Sequence, residues 1–296
     1  MWRAAFGETL NKETIMKIAI SVESTSDLSK ELLEKYDIKV IPYHIILGDT
    51  QFTDGERSPE DIFAYVDKNK TLPKTTAINE FEYEEYFTEL KKSYDAVIHI
   101  ALSGAITSSC ANALSVAERL ENVYAIDSKS LSTGIGLLAI YARELADAGT
   151  APEAIVEKLI ERREKLQVSF VLERLDYLYK GGRCNSLQLF GANLLKIRPR
   201  IILKNGKMIS DKKFRGKIDA VVGKYCESAL ADFSTPDLTR VFITYTTATP
   251  EMLDAARAVC ENAGFKEILY TRAGCTIASH CGGHTLGILY FNDGQN

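Results

Sequence analysis

Across the first half of the chain, short apolar runs rich in β-branched residues alternate with longer stretches of helical periodicity. Residues 17–22 (KIAISV), 38–47 (IKVIPYHIIL), 96–101 (AVIHIA) and 123–126 (VYAI) read as strands. Helices are predicted over 30–35, 59–68, 80–92, 109–120 and 133–148. The second of these carries a full start signal, with Ser58 at the N-cap, Pro59 in the first position and Glu60 and Asp61 in the first turn. Strands and helices in alternation predict a mostly parallel sheet with helices on both faces.

The rhythm changes near residue 150. A charged helix over 152–165 leads to a strand at 168–172 and a short helical segment ending at Gly181 and Gly182. RIILK, Asn205-Gly206 and KMIS then read as a hairpin. The run VFITY is followed by Thr249-Pro250-Glu251, which opens a helix stopping at Gly264, and strands at 267–272 and 284–291 close the chain. The expected fold class is α/β with two domains: a mostly parallel α/β/α sheet over 16–160, then a mixed-sheet α/β domain over 161–296. Residues 1–15 read as an extension, because the strand pattern begins at Met16.

Composition removes several classes of function. The 296 residues are 46% hydrophobic and 26% charged, the balance of a globular protein able to bury a core. A net charge of −4 argues against a dedicated nucleic-acid binder, which needs a basic face. The six cysteines form no C-x-x-C pair, and residues 1–15 hold no signal-peptide core, so reduced thiols and a cytoplasmic location are expected. No run of eighteen apolar residues is present, so no membrane span is expected.

Candidate chemistry concentrates in loops. The stretch TRAGCTIASHCGGHTLG, residues 271–287, holds Cys275, His280, Cys281 and His284, all residue types that bind zinc. Gly282 and Gly283 argue against a helix joining the two histidines, and no second ligand pair lies elsewhere, so no metal is expected. The favoured reading is a loop whose backbone approaches something closely, with His280 as its polar handle. Gly134-Ile135-Gly136-Leu137-Leu138-Ala139 resembles a dinucleotide fingerprint, but it does not directly follow a strand, and helix packing is the better account. His44 and His99 lie within apolar strands and read as satisfied core residues. Three loops are rich in hydroxyls: 23–28 after the first strand, 72–77 before the helix at 80, and 102–109 after the strand at 96–101. Loops at the carboxyl ends of parallel strands converge on one crevice, and hydroxyls and free amides there favour an anionic group.

These segments, in order, resemble the DegV family of bacterial fatty-acid-binding proteins. The family's opening D-S-T-x-D-L stands as Glu23–Leu28, with Glu23 in place of the first aspartate. Its threonine-serine loop is similar to Thr75-Thr76, and its next serine-glycine run to residues 103–109, with Thr107 where a ligand-binding serine is expected. Asp127-Ser128 and the K-G-G-R signature at residues 180–183 follow. The terminal H-x-G-x-G loop is similar to the stretch from His280, with His284 in place of a glycine. The resemblance implies a carrier, not an enzyme, holding a long-chain, palmitate-like fatty acid between two domains. It needs no cofactor, and its carboxylate would meet Thr75, Thr76, Thr107 and Ser108. The fatty acid would be presented to a partner fatty-acid kinase, with His280 and Arg183 serving the headgroup or coupling to the kinase. The alternative from the residues alone is a small-molecule enzyme using His280 and the Ser/Thr loops on a phosphorylated or carboxylated substrate.

Overall fold

A computed structural model describes residues 16–184 and 197–294. The first half runs β1 (Ile18–Glu23), α1 (Lys30–Lys35), β2 (Ile38–Ile41), β3 (His44–Leu47), β4 (Thr50–Thr53), α2 (Pro59–Asn69), β5 (Lys74–Thr76), α3 (Glu80–Lys91), β6 (Ala96–Ala101), α4 (Ser109–Ala117), β7 (Val123–Asp127), α5 (Thr133–Asp147) and α6 (Pro152–Arg162). The second half runs β8 (Leu166–Val171), α7 (Asp176–Lys180), β9 (Ile197–Lys204), β10 (Lys207–Arg215), α8 (Ile218–Asp232), β11 (Arg240–Tyr245), α9 (Pro250–Ala263), β12 (Glu267–Arg272), α10 (Cys275–Cys281) and β13 (Leu286–Phe291).

The parallel sheet has the order β2-β1-β6-β7, every pair parallel. The mixed sheet has the order β10-β9-β8-β13-β11-β12, antiparallel except for β11 beside β12. The expected hairpin forms at Asn205-Gly206, both residues having positive φ as a tight turn of this kind requires. The predicted strand at 38–47 is instead two strands in different sheets. Pro42 has no N–H to give a ladder, so the chain leaves the parallel sheet after Ile41. It re-enters as β3 in a small antiparallel sheet, β4-β3-β5.

Alternation along the strands of the mixed sheet sorts its side chains between two cores. Leu286, Ile288 and Tyr290 face one core with Val241, Ile243 and residues of α8 and α9. Leu289 and Phe291 face the other, with Phe242 and Phe170. That second core is continuous with the core of the parallel sheet, and α5 lies between the two sheets. Residues 133–140 of α5 are buried without a break, the signature of a helix covered all round. This accounts for the glycine pattern. A Cβ on Gly134 would sit 2.2 Å from Ser130 Oγ, and one on Gly136 would sit 2.7 Å from Leu28 Cδ2. Close packing, not a nucleotide, needs these glycines.

Candidate functional site

Strand β5, the loop after β6 and helix α10 meet around a cavity of about 310 Å³. Thr75, Thr107, Ser108, Arg183 and His280 give it polar walls, and Leu102, Leu131, Leu178, Met208 and Ile277 give it apolar ones. Thr75, Arg183 and His280 also line an open groove of about 540 Å³ with Lys70, Lys74 and Lys180, and no acidic residue is among its described lining. On another side, Leu131, Ile277 and Cys281 form a wall shared with a small chamber of about 30 Å³. The cavity therefore lies between a basic groove and an apolar chamber.

His280 stands where cavity and groove meet. Its Nε2 is 2.9 Å from Thr75 Oγ1, a contact spanning 205 residues of sequence. Among the described residues, its Nδ1 has no hydrogen-bond partner. Enclosure disfavours the imidazolium first, and the Arg183 guanidinium disfavours it further, so the pKa is lowered to about 4. At neutral pH the ring is uncharged. A side chain on Gly181 would reach within 3.0 Å of Nδ1, so the glycine before Arg183 leaves room for the ring. Arg183 is exposed, with Nη1 donating to the Gly181 carbonyl at 2.6 Å.

The loop carrying Thr107 and Ser108 is fastened from below. Buried Glu23 accepts the Leu102 N–H at 2.6 Å and the Tyr83 hydroxyl at 2.8 Å. Thr107 Oγ1 accepts from Tyr43 OH at 3.2 Å and from the Ser109 N–H at 3.2 Å, and it donates to Ser109 Oγ at 3.3 Å. It thus helps cap α4 while lining the cavity. Ser108 lines the cavity too, is exposed and makes no capping bond. Thr76 does not line it. Successive strand residues point to opposite faces, so Thr75 and Thr76 separate, and Thr76 pairs in register with His44.

The segment around His280 is a helix, not the loop expected from its glycines. Helix α10 ends at Gly282, whose φ of 73° places it in the left-handed region. A Cβ there would fall 2.8 Å from the Tyr177 ring, so close packing also requires glycine. At its other end, Gly274 N–H donates to Asp27 at 2.8 Å, Cys275 N–H to Asp54 Oδ1 at 2.8 Å and Thr276 N–H to Asp54 Oδ2 at 3.2 Å. Asp54 also accepts from Ser24, whose hydroxyl in turn accepts the Tyr43 N–H. Asp27 is buried and accepts from Ser132 at 2.5 Å; desolvation raises its pKa well above 3.8. The sequence does not single out Asp54 or Tyr43, since an acid opening the turn after a short strand and a tyrosine within an apolar run carry no local signal.

His284 turns away from His280. Its Nδ1 pairs with Glu173 at 2.5 Å, and its φ of 52° matches the glycine expected in that place. His44 pairs with Glu82, while His99 is buried against Ser21 at 2.9 Å, with its Nε2 3.7 Å from Glu23 and without a hydrogen bond among the described residues. Among the described residues, no three His, Cys, Asp or Glu side chains converge where a metal ion could sit. No described helix is long and apolar enough to cross a membrane.

The arrangement is that of a DegV protein, and comparison places it there. The DegV family model, described as covering uncharacterised proteins, matches residues 17–293, and the chain belongs to that family. It is 32% identical to a fatty acid-binding protein of Thermotoga maritima over 222 residues, 72% of this chain and 77% of that protein. The structure of a fatty-acid-binding DegV family protein from Thermus thermophilus superposes with a TM-score of 0.86 at 25% identity, covering 93% of this chain and 99% of that one. DegV of Bacillus subtilis, described as a fatty acid binding protein, gives a TM-score of 0.80 at 27% identity over 93% of this chain and 99% of its own.

Proposed function

We propose that this protein carries a long-chain fatty acid, its carboxylate at Thr75, Thr107, Ser108 and His280 and its alkyl chain against the apolar walls. The two lobes on either side, divided near residue 160, act as the halves of the holder. The observation that carries the reading is the cavity itself, hydroxyls and a neutral imidazole on one wall and aliphatic side chains on the others. Uncharged donors suit a carboxylate that must be released again, and burial of the chain supplies the affinity. Roughly sixteen carbons at ~0.8 kcal/mol each give on the order of 10 kcal/mol before ordering costs. The fatty acid is presented to a partner kinase that phosphorylates its carboxylate. The basic groove beside Arg183 fits the anionic groups such a transfer brings together. Catalysis by His280 alone fits less well, because its Nδ1 meets no carboxylate that would orient the ring.

Denaturing the purified protein and identifying the released small molecule by mass spectrometry tests the reading. A fatty acid supports it; a nucleotide or phosphorylated metabolite in its place would sink it. Arg183→Ala is expected to keep fatty-acid binding and lose phosphorylation by the kinase. Loss of binding would move Arg183 into the headgroup site.

A further inference from the structure

Helix α10 carries a polar group that a plain fatty acid leaves unused. Thr276, Ile277, His280 and Cys281 all line the cavity, so one stripe of the helix faces it. Thr276 is 3% exposed, and among the described residues its hydroxyl has no hydrogen-bond partner. Its amide is held by Asp54 at 3.2 Å, which fixes the backbone there. The residue is the second of α10, so no preceding helical turn supplies a carbonyl for its hydroxyl. A threonine in a helix divides between two χ1 rotamers, which exchange hydroxyl and methyl at the same place. Valine would fill that space without the cost of an unpaired buried hydroxyl. The hydroxyl is explained by a partner that arrives with the ligand.

We propose that Thr276 binds a second oxygen on the ligand, and that the cavity takes a hydroxy fatty acid substituted on one of its first few carbons. The inference rests on the fatty-acid reading and deepens it by naming the subclass of acid. Thr276 stands four residues before His280 on the same stripe, roughly 6 Å along the helix axis. An extended chain advances ~1.2 Å per bond. With the carboxylate at Thr75 and His280, roughly the third to the fifth carbon therefore lies within reach of Thr276. Tyr43 lines the cavity too, but its hydroxyl already donates to Thr107 at 3.2 Å. Thr276 keeps both its donor and its acceptor capacity for the ligand, and a hydroxyl is the group that can use either.

The experiment is a titration of ligand-stripped wild type, Thr276→Val and Thr276→Ser. The ligands are palmitate and palmitate hydroxylated at the third, the fifth or the last carbon. The quantity read is the affinity for each hydroxy acid relative to palmitate on the same protein. Wild type is expected to bind the third- or fifth-carbon hydroxy acid at least as tightly as palmitate, and the last-carbon one more weakly. Thr276→Val is expected to lower the favoured ratio about tenfold, because the ligand's hydroxyl is then buried without a partner. Thr276→Ser is expected to keep it. The same ratio in wild type and Thr276→Val overturns the inference and leaves the fatty-acid reading standing. Failure of wild type to bind palmitate or any of the hydroxy acids overturns that reading and the inference with it. Should Thr276→Val fail to fold, wild type decides alone: rejection of both near-carboxyl hydroxy acids in favour of palmitate overturns the inference.

Discussion

The two ends of helix α10 are held by different groups and leave different things to a ligand. At the first end, Asp27 and Asp54 accept all three leading amides, of Gly274, Cys275 and Thr276, while the hydroxyl of Thr276, which lines the cavity, has no partner among the described residues. At the other, His280 shares one nitrogen with Thr75 and keeps the second unpartnered. Saturated polar groups fasten; unsaturated ones are available to a ligand. The acids nearest the cavity are thus consumed in holding its wall, and what remains for an anion is neutral or cationic. Burial acts on both ends in the same sense, against charge, raising the acid at one end and lowering the base at the other.

The comparison breaks most visibly at Asp54. Both of its oxygens accept backbone N–H groups, so an amide in its place must point its NH₂ at a donor. Asp54→Asn is expected to cost about 2–3 kcal/mol of stability, the worth of a hydrogen bond to a charged group. Denaturant unfolding at neutral pH measures it. Fatty-acid affinity should fall as well, since the same helix carries Ile277 and His280. Unchanged stability would mean that the packing of α10 against α2 and α7 suffices, and that the carboxylate is incidental.

The next effect separates two threonines that sequence treats alike. Among the described residues the Thr75 hydroxyl has one partner, an imidazole nitrogen, while that of Thr107 is engaged with Tyr43 and with both the amide and hydroxyl of Ser109. Thr75→Val is expected to reduce fatty-acid affinity about 10- to 100-fold, the loss of one bond to a charged acceptor, with little change in melting. Thr107→Val should cost about 1 kcal/mol of stability as a lost helix cap and weaken binding by less than Thr75→Val. Isothermal titration beside thermal melting of ligand-stripped protein ranks the two. The reverse order would place the carboxylate on the α4 side of the cavity.

Much of this frame was legible in the sequence because it depends on local period. Alternating β and α patterns give the parallel sheet, Asn205-Gly206 gives the hairpin, and the hydroxyl loops after β1 and β6 announce a crevice. What stayed hidden depends on contacts distant in sequence. Asp54 reaches a helix 221 residues away, and Thr75 reaches His280 across 205. The helical state of residues 275–281 was masked by the glycines that end it, because the caps supplied by Asp27 and Asp54 come from elsewhere in the chain. Tunnel-lining and core positions share one apolar pattern, so Leu131 and Ile277 carried no sign of facing a cavity.

The smallest expected effect is a pair of opposed pH dependences. His280 has a folded pKa of about 4 against 6.5 when free, so between those values the unfolded chain binds more protons. Its contribution to stability is therefore lost as pH falls from about 6.5 to about 4. Asp27 behaves in the other sense. Its folded pKa lies well above 3.8, so just above that value the folded state holds the extra proton, and acidification through its folded pKa favours folding. In the mildly acidic range the two offset each other. His280→Gln should make stability fall less on acidification, and Asp27→Asn should make it fall more. Near neutral pH, Asp27→Asn should change stability by under about 1 kcal/mol, since asparagine can accept from Gly274 and donate to Ser132. Denaturant midpoints collected from about pH 7 to pH 4 resolve the slopes. Slopes changing in the same direction for both variants would show that the two ends of α10 are not opposed, and that desolvation does not govern their charge.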